Sequence, residues 1–132
     1  NSFKTEILKA VHNFTASSGD TFKLALYTSS ATLNKSTTAY TSSNEVANGN
    51  GYTTKGNALT SVTPVLSTDT AVCTSFTSAS FTARGCLIFN EDASGDPSVC
   101  AIDFGADKTV TSGTFTIQFP TADASNAIIR IA

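Results

Sequence analysis

The stretch from Phe81 to Phe119 constrains the fold most, because short apolar runs alternate there with acidic, glycine and hydroxyl-rich turns. Three strands are predicted in it, over GCLIFN, SVCAIDF and TFTIQF. In the last run, Phe115, Ile117 and Phe119 fall on one face and polar residues on the other, which is the period of a strand. No crossover helix fits between these runs, so antiparallel pairing is expected.

Further strand signals lie on both sides of this stretch. FKLALYT places Phe22, Leu24 and Leu26 on one face, and more strands are predicted over LTSVTPVL, TAVCTSFT, SFTA and AIIRI. Pro64, in LTSVTPVL, favours a sheet edge because proline cannot donate to a strand ladder. The sum predicts an all-β protein with one short N-terminal helix, built as a two-sheet antiparallel β-sandwich. The sandwich is expected to be jelly-roll-like, and an immunoglobulin-like strand order stays open.

The N-terminal residues have helical rather than strand periodicity. The apolar residues of FKTEILKAVHNF recur at helical spacing, at Phe3, Ile7, Ala10, Val11 and Phe14. A helix over residues 3–14 is therefore predicted, ended by a turn before residue 21. At 132 residues the chain is one domain, with helix and turn over 1–20 and the sandwich over 21–132.

A polar excursion separates the first strand from the rest of the sheet. Residues 29–57 contain few apolar anchors, namely Leu33, Tyr40, Val46 and Tyr52. We expect an ordered loop with short strands around the two tyrosines and a tight turn over 48–51.

Charge and cysteine content exclude several kinds of partner. The net charge of −2 and pI near 5.1 provide no positive field for nucleic acid, so none is expected as a partner. No apolar run approaches the roughly 20 residues of a membrane-spanning helix, so a membrane is not expected either. The spacing of Cys73, Cys86 and Cys100 matches no zinc motif, and buried free thiols are favoured over a disulfide that would leave one cysteine unpaired.

Catalytic chemistry has little support in this sequence. His12 is the sole histidine, so a capping or solvent-facing role is favoured over a catalytic one. Asp103, Asp107 and Asp123 could supply a carboxylate pair for glycoside hydrolysis, but no tryptophan platform accompanies them. We therefore expect no enzyme, no catalytic residue and no cofactor.

Two charged positions have both a structural and a functional interpretation. The loop NEDASGDP brings Glu91, Asp92 and Asp96 together, and a hairpin turn is favoured there over a calcium loop, so no metal site is expected. Arg84 precedes a buried strand. A structural ion pair with an acidic turn residue is favoured there over contact with another subunit.

Several segments resemble a family of small structural proteins of tailed bacteriophages. They are VHNF, FKLALYTSSATL, NEV and GYT in the excursion, FTARGCLIFN through DFG, TFTIQFP and AIIRI, and they cover nearly the whole chain. The resemblance implies a capsid decoration, or cement, protein on the outer surface of the virion capsid. The implied partners are the major capsid protein and further copies of this chain, as a homotrimer. The family has no catalytic motif that could be matched to residues of this chain. A phage tail or head-fibre receptor-binding module, or a secreted adhesin-like domain, is the alternative.

The helix and the excursion lie outside the sandwich pattern, so we expect them to supply contacts with the capsid or with other subunits. The candidate interface residues are Phe3, Ile7, Val11, Tyr40, Tyr52 and Arg84. On this interpretation, deletion of residues 1–14 should abolish capsid binding or trimerisation and leave the β fold intact.

Overall fold

The chain is mostly β with one short helix. A computed structural model describes residues 2–15, 18–59, 73–120, 126 and 128. The elements are α1 Ser2–Leu8, β1 Phe22–Tyr27, β2 Asn57–Ala58, β3 Cys73–Asn90 and β4 Ser98–Gln118. The strands form a four-stranded antiparallel sheet in the order β2-β1-β3-β4. A second sheet is not among the elements that these residues form, and the strands predicted over LTSVTPVL and AIIRI lie almost entirely outside the described residues.

Strands β3 and β4 form one long hairpin, which differs from the predicted division into shorter strands. The described residues of TAVCTSFT, together with SFTA and GCLIFN, belong to the single strand β3, and SVCAIDF and all of TFTIQF except Phe119 belong to β4. Register shifts explain the difference. Ala83 pairs with Lys108 and Gly85 with Asp103, so residues 104–107 face Arg84 alone. The polar segments at which turns were predicted form bulges within the β3–β4 ladder.

Strand β1 is buried on both faces of the sheet. The predicted alternation is confirmed: Leu24 and Leu26 pack with Cys86 and Ile88 on one face, where the larger core lies. On the other face the alternate residues form a smaller core, Ala25, Tyr27, Leu87 and Phe89, which Ala31, Leu33 and Tyr40 of the excursion cover. The excursion therefore completes the core of a sheet that would otherwise expose apolar side chains to water.

Helix α1 is shorter than the predicted helix over residues 3–14. Val11 N donates to Glu6 O at 3.0 Å and Ala10 N to Ile7 O at 3.1 Å, and Ala10 has a φ of 54°. This is the Schellman arrangement, in which a left-handed residue ends a helix. The apolar pattern continues beyond the end of α1 to Phe14, because the chain after the helix packs on the core without being helical.

The polar excursion is ordered and its predicted tight turn is confirmed. Gly49 and Tyr52 exchange two backbone hydrogen bonds of 2.8 and 2.9 Å. The short strands expected around Tyr40 and Tyr52 are only isolated bridges. The excursion returns to β1 at Gly56, where a Cβ atom would collide with the carbonyl of Leu24, so glycine is required by the close approach of two backbones.

Within the described part of the chain, no helix has the length and apolar character needed to span a membrane.

Candidate functional site

Arg84 and Asp103 form an ion pair where β3 and β4 shift register. Arg84 Nε donates to Asp103 Oδ1 at 3.0 Å, and Gly105 N donates to the same oxygen at 2.8 Å. The hydrogen bond from Gly105, followed by that from Arg84, holds the pKa of Asp103 below its usual range. The predicted structural ion pair of Arg84 is confirmed. Its acidic partner, however, lies at a strand bulge and not in a turn.

A hollow of about 250 Å³ opens beside this ion pair. Its lining consists of Tyr27, Thr28, Ser29, Ala31, Leu33, Arg84, Gly85, Ile102 and Asp103. Tyr27, Gly85 and Asp103 are direct neighbours across three strands, so the middle position of this row has no side chain. A Cβ atom at Gly85 would lie 2.6 Å from the carbonyl oxygen of Ile102. The close approach of β4 therefore requires glycine, and the missing side chain leaves space on the sheet.

Glu45 ties the excursion to the sheet. Its Oε1 accepts hydrogen bonds from the Tyr52 hydroxyl at 2.6 Å and from Lys55 N at 2.7 Å, and its Oε2 accepts one from the Tyr40 hydroxyl at 2.6 Å. The Tyr52 hydroxyl in turn accepts a hydrogen bond of 3.0 Å from Leu26 N in β1. One carboxylate thus joins three parts of the excursion and, through Tyr52, the sheet.

The same network changes the pKa values of the tyrosine hydroxyls. Burial, and next the hydrogen bond to the Glu45 carboxylate, raises the pKa of both Tyr40 and Tyr52. Burial is also the main cause that raises the pKa of Tyr27 to about 12. The Tyr27 hydroxyl donates a hydrogen bond of 2.6 Å to Thr41 O. All three phenols are therefore neutral over the physiological pH range.

Lys55 links the excursion to the turn between β3 and β4. Its Nζ lies 2.8 Å from Asp96 Oδ2 and 3.7 Å from Glu91 Oε1, and 5.5 Å from the centre of the Tyr40 ring. Lys23 Nζ lies 2.9 Å from Glu91 Oε2. The predicted hairpin turn is confirmed. Glu91 and Asp96 pair with lysines, whereas Asp92 Oδ2 accepts a hydrogen bond of 2.6 Å from Thr21 N. Among the residues described, no three histidine, cysteine or acidic side chains are grouped so that they could hold a metal ion.

His12 is buried, so the expected capping or solvent-facing role is wrong. Its Nε2 lies 3.1 Å from Glu6 Oε2, and its Nδ1 lies 3.1 Å from Asn90 Nδ2. Asn90 Nδ2 also donates to Asp20 Oδ2 at 2.6 Å. The His12 ring packs against the Phe3 ring, with 5.1 Å between the ring centres and a tilt of 43°. His12 therefore holds the N-terminal segment to the end of β3.

The candidate interface residues differ in how much surface they keep. Tyr52 is only 2% exposed and supports the fold, so it cannot contact a partner directly. Phe3, Ile7, Val11 and Arg84 are half-buried, as is Tyr40, whose ring stacks on Phe89 at 4.8 Å. Tyr40 and Tyr52 meet at Glu45, the N-terminal three lie in and just after α1, and Arg84 lies at the hollow. Leu8, which the interface prediction omitted, is 88% exposed.

Asp103 lacks the raised pKa expected of the general acid in a carboxylate pair. A general acid in a glycosidase has a raised pKa, whereas the pKa of Asp103 is lowered. Asp107 Oδ1 lies 3.9 Å from Arg84 Nη1, so both carboxylates face one guanidinium. Asp123 lies outside the described residues.

The thiol prediction is confirmed for two cysteines. Cys86 and Cys100 are free, the first buried and the second half-buried. Burial raises the pKa of both thiols, that of Cys100 to about 11. They are therefore unreactive core residues. The side chain of Cys73 lies outside the described part of the chain.

Sequence reasoning missed Glu45, Lys55, Gly85 and Asn90. One signal was available for Glu45, which is the only acidic residue in the range 29–57 and shares that range with two tyrosines. Gly85 and Asn90 gave no comparable signal, because their roles depend on strand register and on contacts with residues far away in sequence.

No protein family, curated protein or solved structure matches this chain.

Proposed function

We propose that this chain is a structural protein of a bacteriophage virion that decorates the outer surface of the capsid. In this proposal it binds the major capsid protein as a homotrimer and stabilises the shell, without catalysis. The complete domain is the two-sheet, jelly-roll-like sandwich predicted from the sequence, with the N-terminal helix beside it.

The observation that carries the proposal is the fixation of the polar excursion by Glu45 and Lys55. A loop of this length usually loses much conformational entropy when it binds a partner. Here the hydrogen bonds of Glu45 and the ion pairs of Lys55 already hold it to β1 and to the turn between β3 and β4. Such preorganisation suits a docking surface that binds its partner through shape complementarity.

The chemistry of the exposed residues agrees with binding through many weak contacts. The exposed side chains of the excursion are mainly hydroxyls, such as Ser42 and Ser43, and only 14% of the chain is charged. In a trimer, the second and third subunits would dock at an effective concentration of about millimolar once the first had bound. No single subunit then needs a large apolar patch.

Point variants test this proposal better than the deletion of residues 1–14. That deletion would remove His12 and Phe14, which pack on Phe22, and would damage the fold itself. Leu8→Asp on α1 and Ser42→Arg on the excursion change exposed positions instead. Thr114→Arg, on the exposed face of β4, is the matched control outside both segments.

The experiment adds purified protein to capsid shells that lack it and measures bound copies by sedimentation and electron cryo-microscopy. We expect wild type and Thr114→Arg to cover the shell surface, and Leu8→Asp and Ser42→Arg to bind less. Light scattering should show a trimer. Density at a single vertex would favour the tail or fibre alternative, and a monomer that never binds shells would refute the proposal.

A further inference from the structure

We propose that Asn50 is a site of spontaneous deamidation, at which the peptide nitrogen of Gly51 displaces the side-chain amide and aspartate and isoaspartate form. This inference goes beyond the proposed function and does not depend on it. The modification adds a negative charge to one turn of the excursion and, in the isoaspartate product, lengthens the main chain there.

Two Asn-Gly dipeptides lie next to each other in the excursion. Asn48 and Asn50 are the asparagines of this chain that precede glycine. Glycine has no side chain that would hinder attack of its own nitrogen on the preceding residue, so deamidation is fastest in this dipeptide. The sequence does not distinguish the two asparagines, whereas their hydrogen bonds do.

The fold requires glycine after Asn50. Asn50 and Gly51 are the central residues of the tight turn that Gly49 and Tyr52 close, with φ of 50° and 81°. A two-residue turn with positive φ at both positions favours Asn-Gly. A Cβ atom at residue 51 would also lie 2.6 Å from the carbonyl oxygen of Ser78 in β3. The close approach of the turn to β3 therefore keeps the reactive dipeptide in place.

Hydrogen bonds protect Asn48. The nitrogen that would attack its side chain, Gly49 N, donates to Tyr52 O at 2.8 Å. The side chain itself is also held, because Asn48 Oδ1 accepts a hydrogen bond of 3.3 Å from Thr54 N. Reaction at Asn48 requires that both hydrogen bonds break, since the nitrogen and the side-chain carbon have to meet.

The reacting groups at Asn50 are not held in this way. Within the described part of the chain, neither the Asn50 side chain nor Gly51 N makes a hydrogen bond, and both residues are exposed. One hydrogen bond opposes the reaction: Ser80 N donates to Asn50 O at 2.9 Å, and this peptide unit must rotate before Gly51 N can reach Cγ. The loss of one hydrogen bond instead of two favours reaction at Asn50 by about fivefold.

The reaction is an intramolecular displacement followed by hydrolysis, with water as its co-reactant. A bond forms between Gly51 N and Asn50 Cγ while the bond from Cγ to Nδ2 breaks. The proton of Gly51 N passes through solvent to the departing nitrogen, which leaves as ammonia. Water then opens the resulting succinimide ring. Opening at Cγ gives aspartate, and opening at the main-chain carbonyl gives isoaspartate, whose main chain runs through the former side chain.

The test incubates the full chain at mildly alkaline pH and follows both asparagines by peptide mapping, with fragmentation that separates aspartate from isoaspartate. We expect Asn50 to convert at least about fivefold faster than Asn48 in the folded protein. In urea, where the turn is lost, the two should convert at similar rates. Equal rates in the folded protein, faster conversion of Asn48, or no conversion of Asn50 while the urea-unfolded chain reacts would overturn the inference.

Two variants separate the sites further. Asn50→Gly has no amide but accepts a φ of 50°, and it should abolish the rapid release of ammonia from the folded chain. Asn48→Asp is the matched control, because it keeps an acceptor for Thr54 N and should leave the rapid release unchanged. Thermal melts check that both variants are folded. Rapid release that persists in Asn50→Gly would show that the reaction occurs elsewhere and that the inference is wrong.

Discussion

The side-chain amide of Asn90 donates to Nδ1 of His12, and this 3.1 Å contact joins the N-terminal segment to the end of β3. Asn90 Oδ1 accepts from Asp92 N and Ala93 N, both at 3.1 Å, which fixes the orientation of the amide. Nδ1 of His12 must then be the acceptor, so the neutral ring has its proton on Nε2 and donates to Glu6. Two local networks thus determine one histidine tautomer.

Replacement of Asn90 by alanine should destabilise the protein strongly. The residue is fully buried, and the change removes one hydrogen bond each from His12, Asp20 and two backbone N–H groups. We expect a loss of about 2–4 kcal/mol in the free energy of unfolding, measured by urea denaturation. Thr114→Ala, at an exposed strand position, should change stability by less than about 0.5 kcal/mol. Similar values for the two variants would contradict the assigned network.

Replacement of Ala10 by glycine should stabilise the protein. Ala10 ends α1 with a φ of 54°, where glycine avoids the steric cost of a Cβ atom. We expect a gain of about 1 kcal/mol, seen as a higher midpoint in thermal unfolding. Ala47→Gly, at an exposed position whose φ is not positive, should instead be neutral or slightly destabilising. A destabilised Ala10→Gly variant would show that the helix does not end in this way.

The two tyrosines on Glu45 should differ in their contribution to stability. Tyr52→Phe leaves both Leu26 N and Glu45 Oε1 short of a partner in the core, whereas Tyr40→Phe removes one hydrogen bond at a half-buried site. We expect losses of about 2 kcal/mol and about 1 kcal/mol, respectively, by chemical denaturation. Equal losses, or a larger loss for Tyr40→Phe, would refute the conclusion that the Tyr52 hydroxyl links Glu45 to the sheet.

High pH should unfold the protein as its tyrosines ionise, and the thiols of Cys86 and Cys100, whose pKa values burial also raises, should add to the effect. A phenol is charged when deprotonated, so a folded-state pKa raised above the unfolded value of 10 favours folding while the phenol is protonated. That stability is fully present below about pH 10 and is lost as the pH rises through the folded-state pKa, about 12 for Tyr27. Tyrosinate absorbance and circular dichroism measured together should therefore change in one step above pH 10.

The chain has no tryptophan and three tyrosines, which makes the absorbance titration direct. A tyrosine that ionises near pH 10 with the circular dichroism unchanged would show that the phenol is accessible in the folded protein. Tyr40→Phe serves as the comparison, since it removes the half-buried phenol and should leave the unfolding step in place.

Local periodicity was enough to predict the strands but not their continuity. The alternation of Phe22, Leu24 and Leu26 and the aromatic end of β4 appear in the structure as expected, because burial on one face imposes a period of two. The lengths of β3 and β4 could not be predicted, since a bulge such as residues 104–107 has the composition of a turn and is distinguished only by pairing across the sheet.

The candidate site was only partly predictable for a similar reason. The ion pair of Arg84 with an acidic residue was predictable, because the sequence places a single charge directly before a buried strand. The hollow depends on the register that aligns Tyr27, Gly85 and Asp103, and the burial of His12 depends on Asn90, 78 residues away in the chain. Such contacts between distant residues leave no periodic trace in a single sequence.

The bulge at residues 104–107 also has a consequence for solubility. Strand β4 is at the margin of the described sheet, where a long, regular strand would act as a template for further strands and so for fibrous aggregates. The interruption, together with the charges of Asp103, Asp107 and Lys108 around it, breaks that template in its middle. This margin of the described sheet therefore offers only short regular stretches for the addition of another strand.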